Sequence, residues 1–357
     1  MRQNLNKMSG RIICLYLFLA FSGCQPTSKE PKFLFPVCKY EKWGAIDETG
    51  NLVIPYKYDH MGFFHDGRAV IRQNGHSGII DLKGNFIIPP ILNDANPYRE
   101  GLALVSFDDS SHFFIDTMGC IVFKEKENEE LSPFCKNGLI QARKKDSTLM
   151  YYRRNGDIAF ETKYKNGSDF SEGYVLLYSD STFEYTGTSN AWPIYKSESA
   201  HAYTNGDFSE GLARIDTDKG VSFIDNDGHI ALSISKERFL VASDFSEGLV
   251  EFSDNKTKLR GYLNKKGEVV IPAAFYLALE FSEGIAVVKD TLTQKYGFID
   301  KTGKWAIAPT YDHIISGEFI RGLALVLINS KIAYINKRNT VIWISDDSCL
   351  RGGYDYW

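Results

Sequence analysis

Residues 281–309 read FSEGIAVVKDTLTQKYGFIDKTGKWAIAP, and the chain repeats this pattern along most of its length. The stretch predicts three short apolar strands at 284–289, 296–300 and 304–308, joined by turns. About nine such units follow one another, with markers that recur every 34 to 38 residues. This period is typical of stacked supersecondary units, which bury their apolar faces against each other.

One marker of the repeat is a turn of the form Asp-x-x-Gly. Asp or Asn at its first position can accept a backbone hydrogen bond within the turn, and Gly at its fourth position adopts a positive φ at little steric cost. The turn occurs at 47–50, 81–84, 116–119, 225–228 and 300–303, with variants at 153–156, 264–267 and 336–339. Each occurrence predicts a tight hairpin.

The second marker is an aromatic residue that is followed three positions later by glycine. It occurs at 64–67, 98–101, 170–173, 208–211, 245–248, 281–284 and 319–322, and with one extra residue at 134–138. Four copies read FSEG, and an apolar strand follows each marker. Prolines 55, 89, 272 and 309 follow the Asp-x-x-Gly hairpins, and they are predicted to end strands because proline cannot donate to a ladder.

Residues 42–55, KWGAIDETGNLVIP, followed by Tyr58 and Asp59, resemble the WG repeat of bacterial proteins, also called the KWG repeat. Residues 296–309 are similar to the same repeat. The resemblance covers residues 33–345, although only Trp43-Gly44 retains the dipeptide itself. It implies a β-rich array in an exported or envelope protein, and it carries over no catalytic residues.

These patterns predict an all-β fold of about nine tandem three-stranded β-meander repeats. Predicted strands at 32–37 and 341–344 place both ends of the array in the same phase. With no strand left over to lock the ends together, this favours an open curved array. The alternative is a closed ring resembling a β-propeller.

The N-terminus has the pattern of a bacterial lipoprotein signal peptide, with a positive segment, a ten-residue apolar run and a final Ser22-Gly23-Cys24. The pattern predicts a signal peptide at 1–23, a lipidated Cys24 with a tether to residue 32, a repeat domain at 33–345 and a C-terminal tail at 346–357. The expected location is the cell envelope, with a lipid anchor in the outer membrane. A secreted or periplasmic protein is the alternative.

The remaining cysteines are Cys38, Cys120, Cys135 and Cys349, and their spacing matches no zinc site. A disulfide between Cys120 and Cys135 is compatible with export, but buried thiols in strands are the favoured interpretation. No catalytic motif and no cofactor site is recognisable. Asp225 and Asp227 resemble the start of a calcium loop, but Lys236 stands where an EF-hand requires Glu, so turn chemistry is the better explanation.

Acidic residues precede the marker glycines and predict a regular stripe, which could bind cations or a basic partner. These residues are Asp66, Glu100, Glu172, Glu210, Glu247 and Glu283. Solvated turn positions are the alternative, and the favoured one.

Tyr58, Tyr164 and Tyr311 fall at equivalent positions of the repeat. Exposed, they would form a stacking ladder for a glycan or a groove for a peptide. Buried, they would join neighbouring units, and burial is favoured for large aromatic residues.

Two functions follow from the sequence. The favoured one is a lipid-anchored, non-enzymatic binding module for an envelope protein or polysaccharide. The alternative is an envelope hydrolase that uses Asp59, His60, Asp312 and His313 as acids and bases. With a net charge of −4 and a pI near 6.0, the chain has no electrostatic footprint for nucleic acid.

Overall fold

A computed structural model describes residues 33–109, 111–188, 193–198, 205–241 and 243–346. The predicted signal peptide, the predicted lipidation site Cys24 and its tether lie outside these ranges. So do residues 347–357 of the predicted tail. No helix in the described part of the chain has the length and apolar character needed to cross a bilayer.

The described residues contain 33 strands and no helix, which confirms the all-β class. The first strands are β1 (Phe35–Lys39), β2 (Lys42–Ile46), β3 (Leu52–Tyr58), β4 (His60–Met61), β5 (Arg68–Gln73), β6 (His76–Asp81), β7 (Phe86–Leu92), β8 (Asp94–Ala95), β9 (Leu102–Asp108), β10 (Ser111–Asp116) and β11 (Ile121–Lys124). The middle strands are β12 (Glu129–Lys136), β13 (Leu139–Lys144), β14 (Leu149–Arg153), β15 (Ile158–Glu161), β16 (Asn166–Gly167), β17 (Tyr174–Tyr178), β18 (Thr182–Gly187), β19 (Pro193–Glu198), β20 (Phe208–Ser209), β21 (Leu212–Thr217), β22 (Gly220–Asp225) and β23 (Ile230–Ser235). The last strands are β24 (Phe239–Leu240), β25 (Leu249–Asp254), β26 (Arg260–Asn264), β27 (Val269–Ser282), β28 (Ile285–Asp290), β29 (Tyr296–Asp300), β30 (Trp305–Tyr311), β31 (Leu323–Ile328), β32 (Lys331–Asn336) and β33 (Val341–Ile344).

Antiparallel hairpins join these strands into eight sheets, none of which closes into a barrel. We number the repeats as units 1 to 9. Unit 1 is β1–β3, unit 2 is β4–β7, unit 3 is β8–β11, unit 4 is β12–β15, unit 5 is β16–β19, unit 6 is β20–β23, and unit 9 is β31–β33. Units 7 and 8 share the long strand β27 and form one seven-stranded sheet. The tandem β-repeat array is therefore confirmed.

Most units have a fourth strand that the sequence did not predict. In units 2, 3, 5, 6 and 7 this first strand is only two residues long. A two-residue strand is too short to show an alternating pattern, so it cannot be recognised in the sequence.

Neighbouring units pack through pairs of aromatic rings. In units 5 to 9 the marker aromatic is buried against a ring on the third strand of the unit before it. Phe245 lies edge-on to Phe223 at 4.9 Å, and Phe281 lies edge-on to Tyr262 at 4.8 Å. Phe319 and Phe298 repeat the contact at 5.0 Å. Edge-to-face pairs of this kind add about 0.5–1.5 kcal/mol beyond the burial of their area.

The first and last units are in contact with each other. Phe35 of unit 1 lies edge-on to Tyr334 of unit 9 at 5.3 Å. The Tyr334 hydroxyl donates a 3.2 Å hydrogen bond to the Pro36 carbonyl oxygen, and the Asp346 carboxylate accepts one of 3.0 Å from the Tyr40 amide. A joint apolar cluster with members from both units surrounds these contacts. Contact between the first and last units is expected of the closed-ring alternative and not of an array with separate ends. Side chains make this contact, so the ends meet without exchanging a strand.

In four units a glycine lies against the backbone of a following strand that contains proline. A Cβ atom at Gly44 would lie 2.4 Å from the Ile54 carbonyl oxygen, and one at Gly297 would lie 2.7 Å from the Ile307 carbonyl oxygen. The pairing register shifts at both places. The four glycines and the prolines near them are Gly44 with Pro55, Gly78 with Pro90, Gly261 with Pro272, and Gly297 with Pro309.

The prediction that proline ends these strands is wrong. Strand β3 continues through Pro55 to Tyr58, and β30 continues through Pro309 to Tyr311. Proline is accommodated because the strand bulges at this point, where the ladder requires no donor.

The cysteines do not form the disulfide between Cys120 and Cys135. Cys120 is not in a disulfide, but it is half-buried and lies between β10 and β11, so it is not the strand-buried thiol that the sequence favours. Cys38 is buried in β1 and is disulfide-bonded to a cysteine whose side chain is not among those described.

We predict that Gly297→Ala destabilises the protein by about 1–3 kcal/mol, because the added methyl group forces β30 away from β29. Urea unfolding measures this change. Ala333, at the matching position of unit 9, is a natural comparison because no proline follows it in β33. An unchanged midpoint for Gly297→Ala would contradict the steric explanation.

Candidate binding site at the inner turns

The turn that holds the second marker is the element from which the candidate site is built. We call it the inner turn, and we call the residue before its glycine the turn residue. In units 2 to 9 the turn residues have φ values between 48° and 54°. They are Asp66, Glu100, Asn137, Glu172, Glu210, Glu247, Glu283 and Arg321. In unit 1, Phe33 stands at this position, two residues before β1.

An acidic turn residue binds the backbone of the inner turn in the next unit. The two carboxylate oxygens of Glu172 each accept a 2.7 Å hydrogen bond, one from the Glu210 amide and one from the Gly211 amide. Glu100 accepts 2.7 Å and 2.9 Å hydrogen bonds from the amides of Asn137 and Gly138. We call this contact the carboxylate clamp.

The clamp recurs in four more units, always on the amide of the next marker glycine. Asp66 accepts from Gly101 at 2.7 Å, Glu210 from Gly248 at 2.9 Å, Glu247 from Gly284 at 2.9 Å, and Glu283 from Gly322 at 3.0 Å. Hydrogen bonds to an ionised acceptor contribute about 1.5–3 kcal/mol each. The clamps therefore tie successive units together at one end of the repeat.

A cation from the following unit completes several clamps. It comes from the second position of the Asp-x-x-Gly turn or its variant. The ion pairs are Lys265 with Glu210 at 3.1 Å, Lys301 with Glu247 at 3.0 Å, Lys337 with Glu283 at 3.0 Å, and Arg154 with Glu100 at 3.5 Å. The two sequence markers thus meet at the junction between units.

The serine of each FSEG copy adds a further bond between units. The Ser209 hydroxyl donates a 2.6 Å hydrogen bond to the Phe245 carbonyl oxygen, and the Ser246 hydroxyl donates one of 2.7 Å to the Phe281 carbonyl oxygen. Ser171 and Ser282 make the same contact. Each residue of FSEG therefore has a role in joining units, since Phe packs, Ser donates, Glu accepts and Gly permits the turn.

These contacts change the interpretation of the predicted acidic stripe. Its six residues do occupy matching positions, but their carboxylates are occupied by amides and cations of the same chain. Such carboxylates are poor ligands for an external cation, because binding one would require breaking charge-assisted bonds. Neither a cation-binding stripe nor simple solvation describes them.

The pKa of Glu247 reflects two opposing effects within a clamp, burial and hydrogen bonding. Partial burial raises the pKa, but the hydrogen bonds from Lys301 and Gly284 outweigh it and lower the pKa below its ordinary value. A carboxylate with a lowered pKa in the folded state stabilises the protein above its unfolded pKa. This contribution is lost as the pH falls through the folded pKa.

We predict that Glu247→Gln lowers the free energy of unfolding by about 1–2 kcal/mol at pH 7, because a charge-assisted bond becomes neutral. The difference from the wild type shrinks as the pH falls below 4.5, the ordinary pKa of Glu. Glu48→Gln changes an exposed residue and serves as the control. Equal stability of Glu247→Gln and Glu48→Gln in chemical denaturation would contradict the clamp.

The three tyrosines predicted as a binding ladder are buried. Tyr58, Tyr164 and Tyr311 are 0%, 4% and 7% exposed, so no exposed ladder of these rings exists. The Tyr164 hydroxyl donates a 2.8 Å hydrogen bond to Glu184, and the Tyr311 hydroxyl bonds to Asn339 of the next unit. Their positions agree with the favoured interpretation, in which they belong to the core and join neighbouring units.

A cavity of about 580 Å³ lies where inner turns of different units converge. Its lining includes turn residues or their neighbours from units 1 to 5 and unit 9. The aromatic, basic and amide side chains of the lining include those of Phe33, His65, Arg99, Lys136, Asn137 and Arg321. The guanidinium carbon of Arg321 lies 5.4 Å from the centre of the Phe33 ring, a cation–π contact between the last unit and the first.

The sequence did not point to these lining residues, because they differ from unit to unit. A repeat pattern identifies only the residues that recur at matching positions. The signal that could have found them is the departure from the repeat, since Phe33, Asn137 and Arg321 replace an acidic turn residue.

A second acidic series comes from the position before the marker aromatic in units 5 to 9. Its members are Asp169, Asp207, Asp244, Glu280 and Glu318. Burial and the charges of Asp207 and Glu280 raise the pKa of Asp244 to about 6, although Arg214 opposes the shift. The Arg214 Nε atom lies 3.8 Å from the Asp244 carboxylate.

We predict that the wild type gains about 1 kcal/mol of unfolding free energy between pH 7 and pH 5 from Asp244. The folded state binds more protons than the unfolded state in this range, because the folded pKa of about 6 exceeds the ordinary 3.8. In Asp244→Asn this gain should be absent. Denaturant unfolding at both pH values measures it, and an equal gain in both proteins would contradict the assignment.

The remaining candidates are not brought together into a catalytic arrangement. Asp59 pairs with Lys42 at 2.6 Å, and Asp312 pairs with Lys295 at 3.4 Å. These pairs lie at different unit junctions, and the cavity lining includes neither Asp59, His60, Asp312 nor His313.

Asp225, Asp227 and His229 form a group of potential metal ligands. The Asp225 carboxylate already accepts hydrogen bonds of 3.0 Å and 2.9 Å from the amides of Asp227 and His229. This is the turn chemistry that the sequence predicted.

Solved structures with a similar fold have very different sequences. A crystal structure described as a eukaryotic initiation factor has a TM-score of 0.61 at 11% identity, covering 88% of this chain and 96% of its own. The computationally designed Ika8 protein has a TM-score of 0.43 at 13% identity, covering 79% and 94%. BamB from Moraxella catarrhalis has a TM-score of 0.37 at 11% identity, covering 89% and 96%. At these identities the similarity to the first concerns the fold alone.

No curated protein has significant sequence similarity to the chain. The sequence model of the family described as WG containing repeat matches residues 43–75, 78–109, 261–290 and 296–331. Each matched segment begins at, or one residue before, a glycine that lies against a proline-containing strand. The chain therefore contains WG repeats at four positions, and they coincide with the units in which this backbone contact occurs.

Proposed function

We propose that the protein is an envelope lipoprotein whose β-repeat array is a binding module for a partner in the cell envelope. The lipobox-like ending at Cys24 supports lipid anchoring, and the outer membrane is the proposed location. The proposal includes no catalytic activity. Binding is placed at the cavity formed by the inner turns.

One observation carries the proposed binding site. The lining of the cavity includes the three turn positions that are not acidic, which are occupied by Phe33, Asn137 and Arg321. Residues that serve only to join units would be expected to keep the same chemistry at each junction. Different residue types that converge on one cavity instead provide the mixed polar and aromatic lining that is usual in a recognition site.

The electrostatics of the cavity also favour recognition. Partial burial and the neighbouring charge of Arg99 lower the pKa of His65, so its ring is neutral at pH 7. The cations at the cavity are then Arg99, Lys136 and Arg321. The acids at the cavity are Asp66, Glu100 and Glu172, and all three carboxylates already accept hydrogen bonds within clamps. An anionic or polar partner therefore meets three cations beside carboxylates that are already hydrogen-bonded.

We predict that Arg321→Glu abolishes capture of the partner from envelope extract by the immobilised full chain. The reversed charge repels an anionic partner and removes the cation–π contact with Phe33. Arg338→Glu makes the same charge change at an exposed position and should retain capture. Equal capture by both variants would contradict the cavity as the binding site.

A further inference from the structure

The junction between units 4 and 5 differs from the clamped junctions. Its turn residue is Asn137, which has no carboxylate and whose side chain makes no hydrogen bond among the described residues. The amides that a clamp would bind here are those of Glu172 and Gly173. Within the described part of the chain they donate to no acceptor.

The turn at this junction nevertheless has the geometry of a clamped turn. Ser171 and Tyr174 pair across it through hydrogen bonds of 2.8 Å and 2.9 Å. Glu172 and Gly173 have φ values of 52° and 90°, and the clamped pair Glu210 and Gly211 has 54° and 80°. Successive amides in such turns form a concave anion-binding surface.

The same chain shows what this surface binds. At the next junction the amides of Glu210 and Gly211 hold both oxygens of the Glu172 carboxylate at 2.7 Å. The usual cation is also replaced here, because Thr188 follows β18 where Lys301 follows β29. The junction therefore lacks both side chains that complete a clamp elsewhere.

The turn that carries the two amides lies at the edge of the cavity, since Asn137, Ser171 and Glu172 all line it. Lys136 adds a positive charge nearby, with its Nζ atom 3.9 Å from the Asp169 carboxylate.

We propose that the amides of Glu172 and Gly173 bind the carboxylate of a Glu or Asp side chain that a partner protein inserts into the cavity. This inference rests on the proposed function and names the group that the module recognises. A protein side chain is favoured because the equivalent turns of this chain hold Asp and Glu side chains presented on tight turns. The partner's residue takes the place that the Asn137 side chain does not fill.

The test uses the full chain and a fluorescein-labelled peptide with three consecutive glutamates, with a three-glutamine peptide as the control probe. Fluorescence anisotropy should show that the glutamate peptide binds at least tenfold more tightly. Asn137→Glu restores an internal carboxylate and should weaken glutamate-peptide binding at least tenfold while raising the melting temperature. Asn74→Glu makes the same change at an exposed residue of similar φ, 53°, that does not line the cavity, and it should bind as the wild type does.

Several results would overturn the inference. One is unchanged peptide binding by Asn137→Glu. Another is the absence of a Gly173 amide shift when the wild-type protein is titrated with the peptide and followed by NMR, a measurement that does not depend on the folding of a variant. Binding of trigalacturonate, a carboxylated sugar, in place of the peptide would also reject a protein side chain as the ligand.

Failure of the inference can be separated from failure of the proposed function. If the glutamate peptide does not bind but Arg321→Glu still abolishes partner capture, the cavity binds a partner through other groups and the inference is rejected. If the peptide binds and shifts the Gly173 amide, the inference holds regardless of which protein is captured.

Discussion

The bond between an acidic turn residue and the amides of the next inner turn is the contact on which the arrangement of units depends. Apolar packing alone would hold two neighbouring sheets together over a range of angles, because dispersion and burial are not directional. A carboxylate that binds two amides at 2.7 Å, as Glu172 does, sets distance and orientation together. Clamps with one or two amides occur at six turn residues, and at these junctions they give a unit a defined position relative to the one before.

The positive φ of the turn residues follows from the same requirement. A non-glycine residue in this conformation costs free energy, yet eight units place one there. The conformation points the amides of the turn residue and glycine toward the preceding unit, where they meet its carboxylate. The local strain is offset by contacts between units, in keeping with a charged residue at seven of the eight turns, where Asn or a second glycine would be less strained.

Much of the fold could be predicted from the sequence, because the hairpin and strand signals are local. The Asp-x-x-Gly turns and apolar strands specify the units, and β29 begins and ends at the predicted residues. Contacts between units could not be predicted in the same way. Glu247 binds Gly284, a residue 37 positions away, and nothing near Glu247 in the sequence distinguishes such a partner from solvent.

The contact between units 1 and 9 is the longest-range example of the same limitation. Phe35 and Tyr334 are ordinary strand residues, and their contact depends on the arrangement of all nine units. The continuation of strands through proline was also hidden from the sequence, since the glycine that accommodates the bulge lies on a different strand.

The candidate site depends on the exceptions to these rules. Where the turn residue is acidic, the carboxylate is used within the chain. Where it is Asn137, the amides of the next turn have no acceptor in the described part of the chain. The acidic turn residues thus hold the repeat array together, and the turns that lack one provide the surface that is proposed to recognise a partner.

The measurement that tests this account most directly is amide hydrogen exchange at the marker glycines. We expect slow exchange at clamped glycines such as Gly211, Gly284 and Gly322, because their amides are bound to carboxylates of the preceding unit. We expect fast exchange at Gly173 in the protein without a partner. Exchange at Gly173 as slow as at Gly211 would show that its amide is bound within the chain, and would contradict the role given to the clamps.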